Sequence, residues 1–123
     1  MKRLFTAACL AAAAAAASVH GGEPPAGADD EVPQWVRVLI AQIQAQPVAN
    51  PPSLVVQYEV DSRTFYYVPP RCCDIPSVLY DSSGKVLCSP DGGLTGRGDG
   101  RCPPGLTELT GGRLIWRDPR KWR

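Results

Sequence analysis

Between Val32 and Ile43 the apolar residues recur at helical spacing. Val32, Trp35, Val36, Leu39, Ile40 and Ile43 fall on one stripe, with Gln34, Arg37 and Gln42 between them. Pro33 suits a first helical turn, and Asp29, Asp30 and Glu31 stand where the positive end of a helix favours acids. Pro47 closes the segment, so the spacing predicts a helix over about residues 33–46. Its stripe suits packing on a sheet better than lying on a membrane, because Arg37 is the one basic residue of the polar face.

After the stiff connector Asn50-Pro51-Pro52 the period changes to two. Val56, Tyr58 and Val60 alternate with Val55, Gln57 and Glu59, which predicts a strand over Leu54 to Val60. Asp61-Ser62-Arg63 supplies a turn, and Thr64 to Val68, rich in β-branched and aromatic residues, completes a hairpin before Pro69-Pro70 stops it. A second hairpin is expected over Ser77 to Cys88 around a type I turn at Asp81-Ser82-Ser83-Gly84. Pairing Asp81 with Gly84 sets Val78 opposite Leu87 and Ser77 opposite Cys88, and carries Cys88 back towards Cys72 and Cys73. Residues 91–105 hold six of the chain's 12 glycines and read as a loop, and Arg113 to Arg117 supplies a last short strand. The expected fold is α+β, one N-terminal helix packed on a small antiparallel sheet.

The first residues change the picture. Lys2-Arg3, an apolar run from Leu4 to Ala17 and the small residues around Ala15-Ala16-Ala17 form the three parts of a secretory signal peptide. The run is too short to span a bilayer, for which about 20 apolar residues are needed, and no later segment reaches that length. Cys9 lies too early for a lipid-attachment cysteine. The expected organisation is a signal peptide over 1–17, a flexible Pro-, Gly- and Asp-bearing lead-in over 18–31, one small domain over 32–118 and a basic tail over 119–123. Cleavage after Ala17 leaves about 106 residues with 11 basic and 12 acidic side chains, a balance that gives no case for a nucleic-acid partner.

Export decides how the cysteines read. In an oxidising compartment Cys72, Cys73, Cys88 and Cys102 form a disulfide framework. Bridging the adjacent pair strains the ring, so Cys72 and Cys73 are each expected to pair with one of Cys88 and Cys102. A zinc site on the same four would need thiolates and the short ligand spacing that is missing here.

The motifs Tyr66-Tyr67-Val68-Pro69-Pro70, Cys72-Cys73-Asp74, Leu79-Tyr80-Asp81, Pro90-Asp91-Gly92-Gly93 and Thr95-Gly96, with Gly98-Asp99-Gly100 and Cys102, resemble a family of small exported bacterial proteins of unknown function. Gly84, Cys88, the Asn50-Pro51-Pro52 connector and the Leu114-Ile115-Trp116 segment extend the resemblance over about residues 33–118. It implies an exported domain in the periplasm or outside the cell, and assigns no catalytic residue.

Candidate chemistry is sparse. The one histidine, His20, stands at the leader boundary, so the mature domain lacks the commonest general base, and oxidised cysteines offer no nucleophile. Asp74, Asp81, Asp91 and Asp99 each suit a turn, and the Gly-rich loop 91–101, which could wrap Ca²⁺ between Asp91 and Asp99, fits Asp-capped turns better. Arg97-Gly98-Asp99 matches an integrin-binding tripeptide that arises easily by chance. The segment Arg113 to Arg123, five basic residues and one acid with Trp116 and Trp122 among them, offers contact with an anionic envelope polymer or lipid headgroups. Its simpler reading is a solvated end with Trp116 in the core. No catalytic residue, cofactor or metal is expected. What remains is a non-catalytic binding or interaction module for an unknown protein or envelope component, with loop 91–101 and the edge at Pro69, Pro70 and Arg71 as contact surfaces. The alternatives are a secreted protease inhibitor and a small carboxylate-based enzyme.

Overall fold

The computed structural model describes residues 32–72 and 74–123. The leader, the lead-in, Cys9, His20 and Cys73 lie outside the described residues. The elements run α1 (Gln34–Gln44), β1 (Leu54–Val60), β2 (Arg63–Val68), β3 (Val78–Asp81), β4 (Val86–Cys88) and β5 (Arg113–Arg117). The five strands form one sheet in the order β4-β3-β2-β1-β5, and every neighbouring pair is antiparallel. The α+β expectation is therefore met.

Alternation along the strands divides the apolar residues between two faces. Val55, Tyr66, Val68 and Tyr80 meet Val32, Trp35, Val36 and Ile40 of the helical stripe. Trp35 anchors this contact: its ring stands edge-on to Tyr66 with centroids 5.1 Å apart, and its Nε1–H donates to the Ser82 carbonyl at 2.9 Å. The helix is thus tied to the tip of the β3–β4 hairpin, where Gly84 lets the indole approach closely. On the opposite face Phe65, Leu79, Cys88 and Leu106 form a second core, joined by Tyr67, Cys102 and Leu109. Here the covering layer is the irregular segment between β4 and β5.

The first hairpin follows its expected strands, with Val60 opposite Arg63 and a two-residue turn in which Asp61 and Ser62 both take positive φ, 50° and 62°. The second hairpin departs from the expected register. The turn closes on Gly84 as expected, its N–H donating to the Asp81 carbonyl at 3.1 Å, but the Asp81 N–H donates to the Lys85 carbonyl and the Asp81 carboxylate accepts from the Ser83 and Lys85 N–H groups. These bonds hold one more residue in the turn, and an irregularity between Leu79 and Tyr80 sets Leu79, not Ser77, opposite Cys88.

The observed bridge overturns the expected disulfide pairing. Cys88 shares a face with Leu79 and Phe65 and bonds to Cys102, which the loop returns to the same face, with Cα atoms 5.1 Å apart. Cys72 is also disulfide-bonded, but not to Cys88 or Cys102.

The C-terminal segment is tied down. Asp118 is 4% exposed, its N–H donates to the Ser53 carbonyl at 2.8 Å, and its carboxylate accepts from Arg120 at 2.7 Å. The Arg120 guanidinium then donates to the carbonyls of Ile43, Gln44 and Gln46. Helix α1 has no basic residue in its own last turn, so Arg120 satisfies its final carbonyls and meets the negative end of its dipole. The expected solvated tail over 119–123 is thereby corrected at Arg120, while Trp122 stays exposed. The side-chain bond from Arg120 holds the Asp118 carboxyl below the usual carboxylate range, against burial and with help from the Arg120 N–H and charge. A folded value beneath the unfolded one means this contribution is complete above about pH 4 and fades as pH falls through the folded value. Arg120→Ala is expected to lower the Tm by about 5–10 °C and to flatten the acid limb of stability. Melts followed by circular dichroism across pH 2–7 check both, and an unchanged Tm would dissolve the clasp.

Candidate functional site

A cavity of about 140 Å³ opens between the sheet and its loop layer, lined by Tyr58, Tyr67, Pro90, Asp91, Thr107 and Leu109. The two tyrosines come from the hairpin. Val56 faces Tyr67 and Tyr58 faces Phe65, so Tyr58 and Tyr67 are diagonal neighbours on one face, with ring centroids 6.2 Å apart at 72°. Their place follows from the alternation that puts every second residue of β1 and β2 under the loop.

Asp91 is delivered by backbone bonding. Ser77, 0% exposed, donates both its N–H and its hydroxyl to the Asp91 carbonyl at 3.0 Å, and its Oγ accepts the Asp91 N–H at 3.1 Å. A bridge from Pro76 to Gly92 continues the contact. This leaves the side chain free to point at the sheet, where the Tyr67 hydroxyl donates to both carboxylate oxygens, 2.7 and 2.9 Å away. Burial pushes the Tyr67 phenol well above its ordinary pKa, and the hydrogen bond to Asp91 and the charge of its carboxylate push it further. The phenol therefore stays protonated at any physiological pH. Asp91 forms no ion pair among the described residues, and no basic side chain lines the cavity.

The remaining residues singled out in the sequence do not gather here. Asp81 caps its own hairpin turn. The Asp99 carboxylate accepts the Arg101 N–H at 2.9 Å, which holds it below the usual carboxylate range. Asp91 and Asp99 thus serve different partners, and no group of three or more metal-ligating side chains occurs among the described residues. Arg97-Gly98-Asp99 is folded into backbone bonding: Gly98 N–H donates to the Gly92 carbonyl and Asp99 N–H to the Ser89 carbonyl, both at 3.0 Å. At the proline edge Pro70 lies against Gly92, and Arg71 donates to Gln46 at 2.8 Å. The loop 91–101 does present one apolar side chain, Leu94, 88% exposed. Sequence reasoning took Asp91 as a turn residue and passed over Tyr58 and Tyr67. The alternation of β1 and β2 was the available signal that the two rings share a face.

No helix among the described residues is long and apolar enough to cross a membrane. No curated protein and no solved structure matches the chain. Residues 41–118, which include every residue of the cavity, match the family described as a domain of unknown function, DUF6970. With more than half of its length inside that match, the chain belongs to the DUF6970 family.

Proposed function

We propose that the protein is an exported, non-catalytic binding module whose contact site is the cavity between Tyr58, Tyr67 and Asp91. The observation that carries this reading is a half-buried carboxylate fixed beside two aromatic rings on a rigid frame. The setting of that carboxylate speaks against acid–base catalysis. One carboxylate stands alone in the cavity, and its hydrogen-bonded phenol is pushed away from neutrality rather than towards it. The Cys88–Cys102 bridge and the oxidised Cys72 fit an oxidising compartment, the periplasm or the cell exterior. The protease-inhibitor reading is weaker, because residues 92–99 are a run of tight backbone-bonded turns rather than an extended stretch that a protease cleft accepts.

Two measurements test the proposal. The intact mass of protein recovered from its native compartment is expected to match cleavage near Ala17 and to lie about 4 Da below the fully reduced value. A titration with a mixed set of small fragments, followed by NMR, is expected to move the resonances of Tyr58, Tyr67, Asp91 and Leu109 and to return every fragment unchanged. Shifts scattered over the surface would remove the site, and turnover of a fragment would remove the non-catalytic reading.

A further inference from the structure

Resting on the binding reading above, we infer that the cavity takes an alkylammonium group, held between the Asp91 carboxylate and the rings of Tyr58 and Tyr67. The argument begins with the charge. A carboxylate withdrawn from water loses hydration and regains it only through hydrogen bonds and a counter-charge. Asp91 has hydrogen bonds from one donor, the Tyr67 hydroxyl, which leaves lone pairs on both oxygens unused. The counter-charge is missing, since Asp91 forms no ion pair among the described residues.

The walls favour the same sign. Tyr58 and Tyr67 line the cavity beside the carboxylate, and the face of a tyrosine ring carries a negative quadrupole that attracts a cation and repels an anion. Leu109 and Pro90 supply apolar surface for the carbons next to the charge, and Thr107 completes the lining. A volume of about 140 Å³ falls short of the 300–1,000 Å³ usual for drug-sized ligands. It suits one ammonium head with a few methylenes, whether on a free amine or at the end of a lysine side chain. The anchor is already built: the Asp91 backbone is held by the buried Ser77, so binding would not have to order the loop.

The experiment is an NMR titration of the mature, oxidised protein with n-butylammonium and tetramethylammonium, set against n-butanol and butyrate as neutral and anionic counterparts. Both ammonium ions are expected to saturate shifts at Tyr58, Tyr67, Asp91 and Leu109, at least about tenfold more tightly than butanol, with butyrate inert. Asp91→Asn is expected to weaken ammonium binding at least about tenfold while keeping the Tm, because Ser77 grips the main chain and not the carboxylate. Tyr58→Leu is expected to weaken it about threefold or more. A short peptide with a central lysine separates the sources: tighter binding than n-butylammonium assigns the site to a protein partner, and equal or weaker binding assigns it to a free amine.

Butanol binding as well as butylammonium, or an Asp91→Asn variant with full affinity, would overturn the cation assignment and leave the binding module standing. Silence of the cavity towards all the probes would overturn both. The comparison of charged and neutral ligands on the unaltered protein keeps the test valid even where a variant folds poorly.

Discussion

Replacing both Cys88 and Cys102 with alanine is expected to cost about 3 kcal/mol, because the bridge closes a loop of separation 14 and its removal frees the unfolded chain. For a domain of this size that corresponds to a fall in Tm of about 12–24 °C. Alanine is the right replacement, since a serine hydroxyl at Cys88, which is 2% exposed, would be buried among Phe65, Leu79 and Leu106 without a partner. The loss should not be confined to stability. Leu106 and Leu109 hold the loop layer on the sheet, and Cys102 is the covalent tether just ahead of them. Without it the Thr107 and Leu109 side of the cavity loosens, so hydrogen exchange is expected to rise over residues 103–112 before the sheet opens. A Tm within about 3 °C of the parent would mean that the loop layer holds itself without the bridge.

Gly98→Ala is the second large effect. Gly98 has a φ of 75°, and a β-carbon there would meet only backbone: the Ser89 carbonyl oxygen, the Pro90 carbonyl carbon at 2.7 Å and the Asp91 nitrogen at 2.8 Å. None of these can swing aside as a side chain would. The chain must therefore give up the bonds from Gly98 to Gly92 and from Asp99 to Ser89, at an expected cost of about 3 kcal/mol or more. Gly100 provides the control. Its φ of 69° is similar, but nothing lies within 4 Å of the place an added methyl would take, so Gly100→Ala is expected to cost only the left-handed backbone, about 1 kcal/mol. Urea melts of the two variants check the difference. Equal destabilisation would show that φ alone, rather than close packing of the loop on itself, sets the requirement.

The elements that buried one regular face were legible from the sequence. The stripe from Val32 to Ile43 gave the helix to within two residues, and the alternation of Leu54 to Val60 gave β1 because both signals repeat over several residues. The β3–β4 register was not legible. The turn from Asp81 to Gly84 forms as expected, but Lys85 joins it through the Asp81 N–H, and the Asp81 side-chain bonds that favour this involve three residues with no periodicity. The disulfide pairing was out of reach as well, because Cys102 returns to Cys88 through the irregular segment between β4 and β5, a path with no periodicity to read. The cavity was half legible. Tyr58 and Tyr67 could be placed on one face by counting, whereas Asp91 reaches Tyr67 across 24 positions through a loop whose path is set by Ser77. Arg120 was likewise out of reach, because its partners on the helix lie more than 70 positions away.

The clasp at Arg120 makes the two ends of the described fold depend on each other. Helix α1 opens the described fold, yet carbonyls at its C-terminal end accept from a side chain more than 70 positions later. Strand β1 depends on distant residues in the same way, pairing with the adjacent β2 on one side and with β5, beyond the Gly-rich loop, on the other. A chain truncated before residue 113 would therefore lack the Arg120 bonds to the helix end and leave an open sheet edge on β1, the strand that lies inside the full sheet. Both contacts form only when residues 113–120 dock, which makes the meeting of distant segments, rather than any local element, the step that closes this domain.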